Sequence, residues 1–344
     1  MKHTQEEIEK KRKIAEDYDL HSQKQHDLGQ LHEALLASQK AVAIWRDLDI
    51  AQPKNDQIQP ELAESLNKLA IRLGKLGQHK EAHAAAQEAA ELFRKLSENK
   101  TQPNKFRPQM AKTLNNLGIC MDKLNLKDAA LQTAQEAVAL YRDLAINNVN
   151  NASEQDLFGL ARALSNLAIR LRQSNQPEEA MKRDEESLEI MRELAHKRRD
   201  TYQQPLAYSL HNMGRGHKHL KKYQQALIVT EQAVAIRREL FNKHPEEHRA
   251  DLARSLESNA EILSLLDRRE EAKPLAAEAM KLLDFALQHN PVGLHTQMKE
   301  TIETCTLSWR GTELPAEVTT IYDKFMEMHE KNKKGQNTQP PLES

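Results

Sequence analysis

Fifteen histidines make a metal site the first chemistry to consider in this sequence. Two pairs lie four residues apart, namely His79 with His83 and His244 with His248. On a helix, that spacing can supply two ligands to a zinc ion. No third ligand of suitable spacing accompanies either pair, so solvated surface histidines are the favoured interpretation. We expect no metal and no other cofactor.

The remaining side chains that could do chemistry are also isolated. His217 and His219 follow His211 by six and eight residues, so on one helix the three do not converge on a point. Cys120 and Cys305 form no CxxC pair, and a free cysteine usually serves as a small buried hydrophobe. The sequence contains no glycine-rich phosphate loop, nucleophile elbow or HExxH motif. We therefore expect that the protein is not an enzyme.

Charge and composition disfavour two further classes. Lys and Arg number 50 and Asp and Glu number 51, so no net field draws the chain to nucleic acid or to an anionic membrane. Aromatic residues make up 4% of the chain and do not recur at positions where bases could stack. The N-terminus lacks the apolar core of a secretory signal, and no window approaches roughly 18 consecutive apolar residues. These features predict a cytoplasmic protein.

The elements that position these side chains are indicated by a nine-residue segment that occurs five times. It reads LAESLNKLA from Leu62, MAKTLNNLG from Met110, LARALSNLA from Leu160, LAYSLHNMG from Leu206 and LARSLESNA from Leu252. The starts are separated by 48, 50, 46 and 46 residues, and an eroded copy begins near Ile14. In the second half of each unit, small residues recur seven positions apart, which places them on one helix face. Each unit therefore reads as helix A, a turn near Gly29 or Gly77, and helix B.

One such helix pair cannot bury its apolar stripe alone, so stacked pairs must share a core. The predicted domains are an N-terminal helical extension (1–13), six repeats (14–61, 62–109, 110–159, 160–205, 206–251 and 252–291), capping helices (292–331) and a disordered tail (332–344). An arginine also recurs on helix B, at Arg46, Arg94, Arg142, Arg192 and Arg238. A residue present in nearly every unit is most simply architectural, and we expect it to pair with acidic residues of an adjacent helix.

The repeat resembles a known family. Its small and large residues follow the tetratricopeptide repeat signature, at Leu66, Leu69, Ala70, Leu73, Gly77, Ala82 and Ala89. That family has a usual period of about 34 residues, and the longer period here is similar to the extended class found in kinesin light chains. The resemblance covers roughly residues 14 to 291. It implies an all-α, right-handed superhelical solenoid of about six helix-turn-helix repeats with a C-terminal capping segment.

In that family, helix A residues on the inner curve contact bound peptides. The resemblance therefore implies a peptide-binding set made of Asn67, Asn115, Asn116, Arg162, Asn166, Arg172, His211, Asn212, Arg215 and Lys218. Asparagine recurs at one position of this set, and its amide can both donate to and accept from a peptide backbone. The alternative is that these asparagines simply sit in a solvated groove. Because such side chains would lie outside the stacking core, we expect their replacement by alanine to change stability little.

The function that follows is a non-catalytic scaffold or adaptor that holds an extended segment of another protein or peptide. The basic members of the set favour an acidic partner segment. A regulatory or sensor subunit that controls a catalytic partner is the second class that fits. A nucleic-acid-binding helical repeat is a third class, which the balanced charge disfavours.

Overall fold

The computed structural model describes residues 4–53, 55–98, 105–147, 153–289 and 295–336. Within these ranges the chain forms fourteen α-helices and no strand, which confirms the predicted all-α class. In chain order they are α1 (Gln5–Asp27), α2 (Leu31–Ala51), α3 (Ile58–Lys75), α4 (His79–Ser97), α5 (Arg107–Lys123), α6 (Lys127–Asn147), α7 (Glu154–Gln173), α8 (Pro177–Lys197), α9 (Arg199–His219), α10 (Tyr223–Lys243), α11 (Pro245–Leu265), α12 (Arg269–His289), α13 (His295–Ser308) and α14 (Ala316–Gln336). The odd-numbered helices are the A helices and the even-numbered helices are the B helices.

Local sequence explains where several helices begin. The Thr4 hydroxyl accepts from the Glu7 backbone N–H while the Glu7 carboxylate accepts from that of Thr4, which is a capping box at the start of α1. Ser153 caps α7 through the backbone N–H of Asp156. Proline occupies the first position of α8 and α11, where its missing N–H has no helical partner to lose.

The turn inside each of the first six helix pairs is short and passes through the left-handed backbone region. Gly29 and Gly77 adopt φ of 74° and 77°, as a residue without Cβ does at little cost. The other four pairs place a residue with a side chain there: Asn125, Asn175, Lys221 and Asp267. The predicted turns near Gly29 and Gly77 are therefore confirmed.

The chain forms two compact units, Met1–Tyr202 (the N-terminal unit) and Gln203–Ser344 (the C-terminal unit). In the N-terminal unit each helix from α1 to α8 packs on its neighbours in sequence, around a continuous core that includes Leu66, Leu114 and Leu164. The small residues spaced seven apart on its B helices are all fully buried, and they let the A helices approach closely. They are Ala34 and Ala41, Ala82 and Ala89, Ala130 and Ala137, and Ala180 and Ser187.

The C-terminal unit continues the repeat into the segment that the sequence predicts as a cap. α13 packs on α11 and α12, and α14 packs on α12. Three buried residues of α13 lie 46 positions after three buried residues of α11: Met298, Ile302 and Cys305 follow Leu252, Leu256 and Asn259. α14 extends to Gln336, beyond the predicted limit at residue 331, and residues 337–344 of the predicted tail lie outside the described residues. The domain limits themselves stay a prediction.

Ion pairs join successive B helices at equivalent positions. In the N-terminal unit the pairs are Arg46–Glu88, Arg94–Glu136 and Arg142–Glu186, and in the C-terminal unit the pair is Arg238–Glu278. The expectation that the recurrent arginine is architectural is thus confirmed at four of its five positions. Asp284 stands in its place on α12 and pairs with Lys324 of α14, so the contact persists with the charges exchanged. These pairs are partly exposed, and each is worth about 0–1 kcal/mol.

The described ranges contain neither a bilayer-spanning helix nor a cluster of metal ligands. None of the helices there is both long and apolar enough to cross a bilayer. No group of three or more His, Cys, Asp or Glu side chains there could hold a metal ion.

Candidate functional site

The asparagines of the predicted set bond one another inside the N-terminal unit. Asn116 Nδ2 donates to Asn67 Oδ1 at 2.9 Å, and Asn166 Nδ2 donates to Asn115 Oδ1 at 2.8 Å. Each bond runs from one A helix to the preceding A helix. Asn67, Asn115 and Asn116 are 0%, 6% and 9% exposed, so these amides tie helices together rather than line a solvated groove. Their contact with a peptide stays a prediction.

The predicted basic residues of the N-terminal unit have different environments. Arg172 Nη1 donates to the buried carboxylate of Asp184 on the paired helix α8, so its charge already has a partner. Arg162 is exposed, and its guanidinium lies 5.7 Å from the ring centroid of Phe158. Arg162 therefore keeps its charge accessible, whereas Arg172 does not.

Three of the predicted residues meet at one place in the C-terminal unit. His211, Arg215 and Lys218 of α9 line a cavity of about 410 Å³. Its other walls are α11 and α13, so three A helices enclose it. The fourth predicted residue of this unit, Asn212, is 1% exposed and its Nδ2 has no hydrogen-bond partner among the described residues.

The cavity is built from equivalent positions of the three helices. Moving 46 residues from His211 gives Glu257, and a further 46 gives Glu303. The same step relates Arg254 to Glu300, and Arg215 to Glu261 and then to Leu307. All eight of these residues line the cavity. Equivalent positions of the repeat thus carry side chains of different charge around one opening.

The cationic side chains of this cavity differ in what they already contact. Lys218 forms an ion pair with Glu261. Arg254 donates to Asp251 at 3.3 Å and to the amide oxygen of Gln297 at 3.1 Å. Arg215 is exposed and makes no ion pair with the described residues. It is therefore the cation most accessible to a ligand.

Sequence reasoning missed the acidic wall of the cavity. Glu257, Glu300 and Glu303 line it together with the paired Glu261. Glu300 and Glu303 lie in the segment that the sequence predicts as capping helices (292–331), and continuing the 46-residue step past residue 291 leads to both of them. The cavity is therefore of mixed charge, and the basic members of the predicted set supply only part of its wall.

Burial changes the titration of two groups at this cavity. It raises the pKa of Glu257 to about 7, with a further rise from the nearby Glu261 carboxylate, while the Thr304 hydroxyl donates to Glu257 Oε1 at 2.9 Å and opposes the shift. Burial also lowers the pKa of His211 well below its usual value, and the neighbouring Arg237 and Arg215 add to that effect. At neutral pH the imidazole is therefore uncharged and the Glu257 carboxyl is close to half-ionised.

The N-terminal unit has a second cavity, of about 570 Å³, at the beginnings of α3, α5 and α7. Phe93, Phe106 and Tyr141 supply aromatic surface there, and burial raises the pKa of Glu61 at its edge. None of the predicted site residues lines this cavity.

Comparison with known proteins identifies the repeat. Residues 62–100, 160–195 and 206–250 each match the sequence profile of the tetratricopeptide repeat family. These three segments are tetratricopeptide repeats. This finding confirms the resemblance drawn from the leucine, alanine and glycine positions. No curated protein sequence matches the chain significantly.

Solved structures of three other proteins share the fold. BtubC (BKLC) from P. vanneervenii is 20% identical over 76% of this chain and 92% of its own, with a TM-score of 0.55. The apo form of RapI is 13% identical over 90% of this chain and 99% of its own, with a TM-score of 0.52. The Rap conjugation gene regulator of plasmid pLS20, in complex with the Phr* peptide, is 13% identical over 94% of this chain and 76% of its own, with a TM-score of 0.52. At such low identities the likeness concerns the fold alone.

Proposed function

We propose that this protein is a non-catalytic scaffold or adaptor whose C-terminal unit holds an extended segment of another protein. The observation that carries this proposal is the cavity enclosed by α9, α11 and α13. It combines an accessible cation, Arg215, with polar groups at equivalent positions of three A helices. A cavity of this volume can hold a few side chains of a peptide, whereas the flat surface of a large rigid partner could not enter it.

Structural similarity supports a peptide as the ligand. The Rap conjugation gene regulator was solved with the Phr* peptide, and a second Rap protein, 15% identical with a TM-score of 0.51, was solved with competence and sporulation factor. Proteins of this fold therefore do accommodate peptides. One of them is a conjugation gene regulator, which favours our second candidate, in which ligand binding here controls a partner protein.

An acidic side chain of the bound segment would pair with Arg215. The guanidinium offers several N–H donors in a plane, which suits a carboxylate. Lys218 is a weaker candidate because Glu261 already neutralises it. Of the four basic residues predicted from the sequence, the proposal therefore depends chiefly on Arg215.

The test starts from a library of random peptides presented to the immobilised full chain. We expect enrichment of peptides that contain Asp or Glu, and about tenfold weaker binding of those peptides to Arg215→Glu. Arg310→Glu is the matched control, because Arg310 is also an exposed arginine of the C-terminal unit but does not line the cavity. A library that yields no binder, or binders that lose equal affinity to both variants, would overturn the proposal.

A further inference from the structure

The acidic wall of the α9–α11–α13 cavity has no role in pairing with an acidic ligand. Glu300 and Glu303 are exposed on α13 and make no ion pair with the described residues. Glu257 accepts one hydrogen bond, from the uncharged Thr304 hydroxyl. Three carboxylates thus face one opening without an ion pair to the described residues, and their mutual repulsion favours any positive group that enters.

A buried histidine provides independent support for a ligand at this place. His211 is 5% exposed, it lines the cavity, and its Nδ1 has no hydrogen-bond partner among the described residues. Buried polar atoms are nearly always hydrogen-bonded, and an exception calls for an explanation. With the ring neutral, Nδ1 is a buried nitrogen without a partner on a side chain that lines the opening.

We infer that the cavity also binds the cationic side chain of a lysine or arginine in the bound segment, between the carboxylates of Glu257, Glu300 and Glu303. This inference rests on the proposed function, because it concerns the same segment and the same opening. Arg215 takes the acidic residue of the segment at the α9 side, and the acidic wall takes its basic residue. The recognised feature is then a neighbouring pair of opposite charges, and a purely acidic segment would be repelled by the α13 carboxylates.

Binding of a cation should be linked to the ionisation of Glu257. The charged and titratable groups that share the cavity wall or its immediate surroundings with Glu257 come from all three helices: His211, Arg215 and Lys218 on α9, Arg254 and Glu261 on α11, and Glu300, Glu303 and the buried Cys305 on α13. A cation beside Glu257 favours its ionised form and lowers the pKa from about 7, so binding releases a proton. If binding requires the ionised form, affinity should rise about tenfold between pH 6 and pH 8.

The experiment uses the full chain and the peptides enriched from the random library. Each peptide is synthesised a second time with its lysine or arginine replaced by glutamine, and binding is measured by fluorescence anisotropy at pH 6 and pH 8. We expect that enriched peptides contain a basic residue and that its replacement weakens binding about tenfold at pH 8. The double variant Glu300→Gln, Glu303→Gln should bind both peptide forms about equally.

A matched control removes the same charge elsewhere on the C-terminal unit. Glu231→Gln, Glu247→Gln changes two exposed glutamates that do not line the cavity, and it should still distinguish the two peptide forms. Peptides that bind but lose nothing when the basic residue is replaced would overturn this inference while leaving the scaffold proposal standing. The inference would also be overturned if the Glu300→Gln, Glu303→Gln variant still bound the original peptide more tightly than its glutamine form, as the wild type should. A library without binders overturns both proposals.

Discussion

The hydrogen bond from Asn116 to Asn67 allows a quantitative test of how the A helices are joined. Asn116→Ala removes the donor and leaves the Oδ1 of a fully buried amide without its partner. An unsatisfied buried acceptor costs about 1–3 kcal/mol. Alanine returns up to about 0.7 kcal/mol through its higher helix propensity. We therefore expect Asn116→Ala to lower the free energy of unfolding by roughly 0.5–2.5 kcal/mol.

The reverse change should cost less. Asn67→Ala leaves the Asn116 amide without an acceptor, but Asn116 is 9% exposed and water can reach it more easily. The same change also removes the Asn67 Nδ2, a buried donor that has no partner among the described residues. Asn116→Ala should therefore lower the free energy of unfolding more than Asn67→Ala does. The difference arises from burial, because both residues are asparagines.

Urea denaturation of both single variants and the double variant gives the coupling energy of the pair. A direct bond predicts a coupling of about 0.5–1.5 kcal/mol, whereas unconnected side chains add within about 0.3–0.5 kcal/mol. Gln132→Ala, at an exposed amide on α6, is the control for general effects of replacing an amide by alanine. Additive single effects, or an Asn116→Ala variant as stable as the control, would refute the role assigned to this bond.

Two further predictions concern stability. Burial raises the pKa of Glu257 from 4.5 to about 7, so the wild type loses stability as the pH rises through this window. Glutamine resembles the protonated carboxyl and does not ionise. Glu257→Gln should therefore be more stable than wild type by roughly 1–3 kcal/mol at pH 8 and equal to it near pH 4. Chemical denaturation at both pH values checks this, and an equal difference at both would contradict it. A Cβ at Gly159 would lie 2.2 Å from Tyr141 Cε1, whereas one at Gly74 meets nothing within 4 Å. Gly159→Ala should therefore destabilise by about 1–3 kcal/mol and Gly74→Ala stabilise by up to about 1 kcal/mol, and melting temperatures in the opposite order would refute the packing argument.

The helices and their buried faces follow from the sequence because the repeat fixes the same register many times over. Leucine occupies one position of five A helices, and every copy is at most 2% exposed: Leu66, Leu114, Leu164, Leu210 and Leu256. The fully buried small residues of the B helices were equally predictable, because a spacing of seven defines one helix face. The helices and their buried faces depend only on each helix pair and its immediate neighbours, and the same residue pattern recurs in each unit of the sequence.

The repeat pattern does not predict whether a polar residue on an A helix is exposed to solvent. The sequence predicts accessible asparagines whose loss would change stability little. Whether Asn67 is accessible depends on the side chain that the next A helix brings to it, and that helix brings Asn116. At equivalent positions of the C-terminal unit, His211 and Glu257 line an open cavity instead. The same repeat position therefore forms hydrogen bonds between A helices in one unit and lines a cavity in the other.

The accessible charges at the cavity can be explained by following the repeat from one helix to the next. Counting 46 residues from Arg215 leads to Glu261, the carboxylate that would be its natural partner, but Lys218 pairs with Glu261. One step further, position 307 is a leucine, so α13 offers no replacement there. Arg254 would likewise meet Glu300, yet it is held by Asp251 and Gln297. One cation and the α13 carboxylates are thus left over on opposite sides of one opening, which is the arrangement that a segment carrying both charges would complete.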